Sequence, residues 1–148
     1  GLEKLKTIGD AYMAAGGIPH QLPEHALLTV HAAWQMRAFM NSVVAEKQQR
    51  GEPFWQIRIG INTGPLMAGV IGQKKFAYDI WGNTVNIASR MESTSEPGQI
   101  NISQSTYELI KHAYRCSHRG KLYAKNAGEI DMYFVQGPDE TAGEIEPS

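Results

Sequence analysis

Cysteine is nearly missing from this chain: Cys116 stands alone among 148 residues. That excludes an intrachain disulfide and, without a Cys-x-x-Cys partner, a zinc or dithiol centre of that kind; a lone thiol fits a reducing compartment. Charge of one sign is missing as well. Fourteen Lys and Arg against fifteen Asp and Glu leave a formal charge of −1, so there is no broad basic field of the kind that binds nucleic acid, and any phosphate binding is local. Long apolar runs are absent: none approaches the roughly 20 residues of a membrane span, and the first residues carry no signal-peptide core. The segment is therefore expected to make no direct membrane contact. Gly64, Gly69 and Gly72 precede no helix and lack the Gly-Lys-Ser/Thr ending of a phosphate loop. They read as tight strand geometry.

What is present is ordinary for a globular domain, with 42% hydrophobic and 20% charged residues, and the length suits one core. The chain opens in a strand pattern, with Leu2, Leu5 and Ile8 before Gly9-Asp10 and a return along Ala11 to Ala15. A hairpin already in progress at the first residue predicts a chain that begins inside a larger fold. Pro23 starts a long helix and Gly51 stops it, with Leu27, Val30, Trp34 and Ala38 on a wide apolar face. The alternation of Ile57, Ile59 and Ile61 marks a strand, followed by strands in LMAGVIG and FAYDIWG around the polar turn Gln73-Lys74-Lys75. A helix over 83–93, a strand in QINIS, a helix in QSTYELIKHAY and strands over 119–125 and 129–135 complete the order β-β-α-β-β-β-α-β-α-β-β. Such an order predicts a mixed α+β fold with helices packed on a sheet. The acidic tail, PDETAGEIEPS, is expected to fray.

At about 100° per residue, the helix over 83–93 gathers Val85, Ile87, Ala88 and Met91 on one side and Asn86, Ser89, Arg90 and Ser93 on the other. Asn86 and Arg90 are an i,i+4 pair aimed at one neighbouring space. By spacing alone this is equally a solvated helix face, and Asp79, just before the strand-to-helix join, is equally a turn carboxylate. His25 and His31 lie i,i+6 on the long helix, which is not the one-face spacing of a metal pair. His20, His112 and His118 show no metal pattern either.

Three stretches in succession carry more: EKLKTIGDAYM at 3–13, IRIGINTGPLMAGVIG at 57–72 and FAYDIWGNTVNIASRMES at 76–93. Together they resemble three motifs of the class III nucleotidyl cyclase catalytic domain, over residues 1–137, with 138–148 as a polar tail. The resemblance implies a ferredoxin-like mixed or antiparallel sheet with helices packed on it, N-terminally truncated. It also implies a reaction in which the ribose 3′-oxygen of a nucleoside triphosphate attacks the α-phosphorus and pyrophosphate leaves. Metal ions and cations that neutralise the developing phosphoryl charge are what such chemistry needs.

By resemblance, Asp10 matches a metal-binding aspartate, for Mg²⁺ or Mn²⁺, two ions per site in the complete domain. Arg90 matches the residue that stabilises the pentavalent phosphorus, and its planar fork suits that role better than Lys. Asn86 matches the residue that positions the ribose. Lys6 and Asp79 fall where the family reads the base. An ammonium donating to adenine N1 and a carboxylate accepting from the 6-amino group fit ATP, whereas guanine reverses both polarities and leaves buried groups unpaired. Ile80 is placed to add a backbone carbonyl, and Lys125 falls near a lysine that contacts the terminal phosphates. Lys74 and Lys75 read as a solvated hairpin tip.

The family's first metal aspartate lies on a strand upstream of the position of Lys6, and no residue here matches it. A fragment of a longer protein, with a sensory or regulatory region upstream, is expected, with an inactive module as the alternative; the fragment alone is expected to be poorly active. In the family each active site is shared across a head-to-tail dimer, which implies a homodimer, cytoplasmic whether or not its parent is membrane-anchored. Adenylyl cyclase is the reading these residues favour. A guanylyl cyclase and a catalytically inactive nucleotide-binding regulator are the alternatives.

Overall fold

In the computed structural model, the backbone is described for residues 2–8, 11–16, 24–54, 56–65, 67–71, 77–124 and 127–139, and side chains for 13–16, 24–54, 56–65, 82–124 and 127–139. β1 (Leu2–Ile8) and β2 (Ala11–Gly16) form the expected antiparallel hairpin. Its register shifts between Lys4 and Lys6, so that Lys4 pairs with Ala14 and Lys6 with Met13. One extra residue on β1, Leu5, is a bulge, a device that reverses strand alternation locally.

α1 (His25–Gln49) starts two residues after Pro23 and stops at a built cap. Gly51 adopts φ 67°, its N–H donates to the Gln48 carbonyl and that of Glu52 donates to Lys47. This is a Schellman motif, which needs the left-handed residue that glycine supplies. Strands β3 (Ile59–Ile61), β4 (Met67–Ile71) and β5 (Ala77–Trp81) then lead to α2 (Asn83–Ser93), β6 (Ile100–Ser103), α3 (Gln104–Ile110), β7 (Tyr114–Ala124) and β8 (Gly128–Pro138). The element order is the one read from the sequence.

Four strands form one sheet in the order β3-β6-β8-β7, with β3 and β6 parallel and the other pairs antiparallel; β4 and β5 form a separate hairpin. On β6 the alternation splits the faces. Ile100 and Ile102 meet Ala26, Val30 and Ala33 of α1 and Ile110 of α3, while the opposite face holds Ile87 and Met91 of α2 with Met132 of β8. All four β6 residues are buried, as expected of a strand covered on both faces. Removing an Ile side chain from water contributes about 1.5–3 kcal/mol, so Ile100, Ile102 and Ile110 fix α1 and α3 to the sheet.

Several boundaries differ from the sequence reading, β8 among them, which runs to Pro138. α3 ends at Ile110, where a turn closes through Lys111 N–H to Tyr107 O and Ala113 N–H to Ile110 O. β7 therefore starts at Tyr114, five residues before the expected Arg119. Register shifts at Arg115/Cys116 and His118/Gly120 break the period-2 pattern, and an interrupted alternation does not read as one strand. In FWQIRIGINTG only Ile59–Ile61 pair as β3. No helix among the described residues is long and apolar enough to cross a membrane.

Candidate active site

α2 begins where β5 ends because Gly82 makes the join. Its φ of 116° and ψ of −175° lie in a region open essentially to glycine alone. From there the helix exposes Asn86, Ser89, Arg90 and Ser93 and turns Ile87 and Met91 inward, as the periodicity predicts. Asn86 and Arg90 are thus presented side by side, one turn apart. Neither side chain makes a hydrogen bond or ion pair with another described residue. Arg90 also lies in the last turn of the helix, where the macrodipole favours a cation.

The first turn of α2 is tied to the loop after β3. Asn62 Nδ2 donates to the Thr84 carbonyl at 3.0 Å, and the Thr84 hydroxyl donates to the Pro65 carbonyl. Asn62 Oδ1 accepts from the hydroxyls of Ser103 at 2.6 Å and Ser105 at 3.2 Å, so one amide joins the ends of β3 and β6 to α2. Gly64 sits in the bend after β3, not in a strand as its sequence suggested. A Cβ there would lie 2.8 Å from the Thr84 hydroxyl, so its role is to let this loop approach the helix. Gly69 is within β4, opposite Asp79, and Gly72 lies outside the described residues.

Of the other sequence-predicted residues, Asp79 and Ile80 lie on β5, paired with Gly69 and Ala68, and Lys6 lies on β1 just after the bulge. β1 runs close to β5. The backbone therefore brings the strands of Lys6 and Asp79 together, ahead of the helix that carries Asn86 and Arg90. The side chains of Lys6, Asp79 and Ile80 lie outside the described residues, as do Asp10 and Lys125 entirely.

Asp10 belongs to the two-residue connection between Ile8 and Ala11, which pair across the hairpin. A carboxylate offers the oxygen donors that a hard divalent cation prefers. Among the described residues no three His, Cys, Asp or Glu side chains converge as a metal cluster. His31 Nδ1 instead meets the Tyr114 hydroxyl at 3.0 Å, and His118 Nε2 meets Asp131 at 2.8 Å.

A cleft of about 130 Å³ is lined by β2, the start of α1, the loop after β3, and Thr84, Val85 and Ala88 of α2. It faces the side of α2 turned away from Asn86 and Arg90. Sequence reasoning did not single out Asn62, whose signal, an Asn directly after a strand, is too common to stand out.

The chain matches a family model described as the adenylate and guanylate cyclase catalytic domain over residues 1–137. It is 39% identical over 137 residues to an adenylate cyclase of Mycobacterium tuberculosis, covering 93% of this chain and 30% of that protein. To guanylate cyclase soluble subunit beta-2 of Rattus norvegicus it is 40% identical over 144 residues, covering 96% of this chain and 21% of that one. The chain thus spans less than a third of the length of these curated relatives. The crystal structure of the guanylate cyclase domain of RhGC from Catenaria anguillulae in complex with GTP superposes with a TM-score of 0.80 at 35% identity, over 93% of this chain and 74% of that one. With the family model matched over residues 1–137 and curated relatives about 40% identical over nearly the whole chain, the chain belongs to the adenylate and guanylate cyclase catalytic domain family.

Proposed function

We propose that this chain is part of an adenylyl cyclase, which converts ATP to 3′,5′-cyclic AMP and pyrophosphate in intracellular signalling. The observation that supports the reading is the pair of exposed side chains one turn apart on α2, Asn86 and Arg90, to which this reading gives the ribose and the α-phosphate. In the reaction the ribose 3′-oxygen bonds to the α-phosphorus, the bond from that phosphorus to the bridging oxygen of the β-phosphate breaks, and the hydroxyl proton passes to solvent. Arg90 stabilises the charge that builds on the equatorial oxygens, and Asn86 holds the ribose so that its 3′-oxygen lies in line. Asp10 is the residue of this chain that would hold Mg²⁺ or Mn²⁺. Such an ion, when bound, would supply Lewis acidity toward the 3′-hydroxyl and charge neutralisation for the triphosphate.

Lys6 and Asp79 select adenine, with Ile80 contributing its carbonyl, and Lys125 reaches the terminal phosphates. The site is completed in a homodimer, one subunit supplying the aspartate side and the other the base-reading pair, Asn86 and Arg90. The full-length protein is expected in the cytoplasm or on its face of a membrane. A guanylyl cyclase is the second reading, favoured by the 40% identity to a guanylate cyclase subunit. Both are tested by offering the full-length protein ATP and GTP with Mg²⁺ or Mn²⁺. Cyclic AMP from ATP, reduced about 10²–10³-fold by Arg90→Ala, is the expected result. Faster cyclic GMP formation replaces the first reading by the second, and no product from a folded protein that binds ATP rejects both.

A further inference from the structure

Gly60 of β3 and Asn101 of β6 are direct partners across the parallel strand pair, and the last turn of α2 rests on both. A Cβ at Gly60 would lie 2.0 Å from Glu92 N and 2.4 Å from the Met91 carbonyl carbon. The helix backbone occupies the space a side chain would need. Beside it, Asn101 is wholly buried and its Nδ2 donates to the Met91 carbonyl at 3.0 Å.

That carbonyl belongs to the last turn of the helix, where carbonyls lack an intrahelical donor. The neighbouring ones are met locally: Arg90 O accepts from Thr94 N–H at 3.0 Å and Thr94 Oγ1 at 2.6 Å, and Glu92 O accepts from Ser95 N–H at 3.0 Å. Asn101 also approaches Thr94 Oγ1 at 3.4 Å and the sulfurs of Met132 and Met91 at 3.4 and 3.7 Å. Its Oδ1 is buried without a partner among the described residues. An amide left half-satisfied among methionines and isoleucines is a poor choice for stability alone, because an apolar side chain of that size carries no unpaired oxygen. What the amide provides is a fixed point for Met91, one residue from Arg90.

We propose that Asn101, with the space left by Gly60, is a positioning residue that sets the depth and rotation of α2 and thereby the station of Arg90 at the reacting phosphate. The inference rests on the cyclase reading of Arg90. It is tested in the full-length protein with Asn101→Leu, which removes the donor at similar volume, with Gly60→Ala, which lifts the helix, and with Ile110→Val in the core on the other sheet face as a stability control.

The expected result for Asn101→Leu is a fall in kcat of about 10- to 100-fold, the scale set by a misplacement near 1 Å. KM for ATP should change by less than about threefold, with faster amide hydrogen exchange at residues 91–95 and no matching loss of kcat in Ile110→Val. An unchanged kcat, or a loss that the control reproduces at equal loss of stability, overturns the proposal. If the unsubstituted protein makes no cyclic nucleotide, the cyclase reading fails. Unchanged exchange at 91–95 in Asn101→Leu then overturns the proposal by itself, and faster exchange confined to that turn upholds Asn101 as the anchor of α2.

Discussion

Cys116 is half-buried on β7, and desolvation pushes its thiol up from 9.0 to about 11. Because the thiolate is the reactive form, the native thiol should react with an aromatic disulfide at pH 8 at least about tenfold more slowly than the same thiol in the denatured chain. Equal rates would show that the side chain is open to solvent. The same shift fixes the sign of a pH effect. Below pH 9.0 the thiol keeps its proton in both states; between 9.0 and about 11 the unfolded chain releases a proton that the folded chain retains, so stability falls as pH rises through that window. Tyr114 and Tyr133, both raised by burial, act in the same direction. Denaturant midpoints at either end of the window should show a smaller fall in Cys116→Ala than in the unsubstituted protein. From sequence, Cys116 could be denied a disulfide partner, yet its burial was not legible, because burial depends on pairing β7 with β8.

The join between β5 and α2 puts a geometric demand on one residue. Among the described residues nothing lies within 4 Å of a Cβ added at Gly82, so Gly82→Ala meets no clash with them and carries the cost of a φ of 116°. A loss of about 1–3 kcal/mol in denaturant unfolding is expected. Cyclase activity should fall further than that stability loss explains, since a relaxed join tilts Asn86 and Arg90. A stability change near zero would mean that the join tolerates an ordinary backbone. The helix itself was fully legible: its limits and its polar arc followed from 3.6-residue periodicity, because one clean stripe meets one sheet face. β7 was only partly so, since its two bulges disrupt the alternation on which strand reading depends. Gly60 and Asn101 were invisible as a pair, because parallel partners 41 positions apart leave no local signal.

At the scale of the molecule, the proposal of a shared site makes a prediction that no single variant tests. Full-length Asp10→Ala and Arg90→Ala proteins should each keep about a hundredth of normal activity or less, and their mixture should recover up to about a quarter of it, as half of the dimers are mixed and each mixed dimer has one intact site out of two. No recovery after subunit exchange would place both residues in one subunit's site. The same scale explains why the family was legible from three short motifs while the substrate was not. The motifs cover three long stretches of the chain, whereas on the proposed reading base choice rests on two side chains alone, Lys6 and Asp79. Relatives about 40% identical over nearly the whole of this chain include both an adenylate cyclase and a guanylate cyclase subunit.

The parallel pairing of β3 with β6 also bears on how the chain reaches this structure. β7 and β8 are joined by three residues and pair along most of their length, so they can zip locally. Gly60 and Asn101 must instead meet across a crossover that contains β4, β5 and α2, and closing such a loop costs more entropy and more time. We expect the β7–β8 ribbon to form early and the parallel pair to close late, with Arg90 gaining its fixed place only in the final stages of folding.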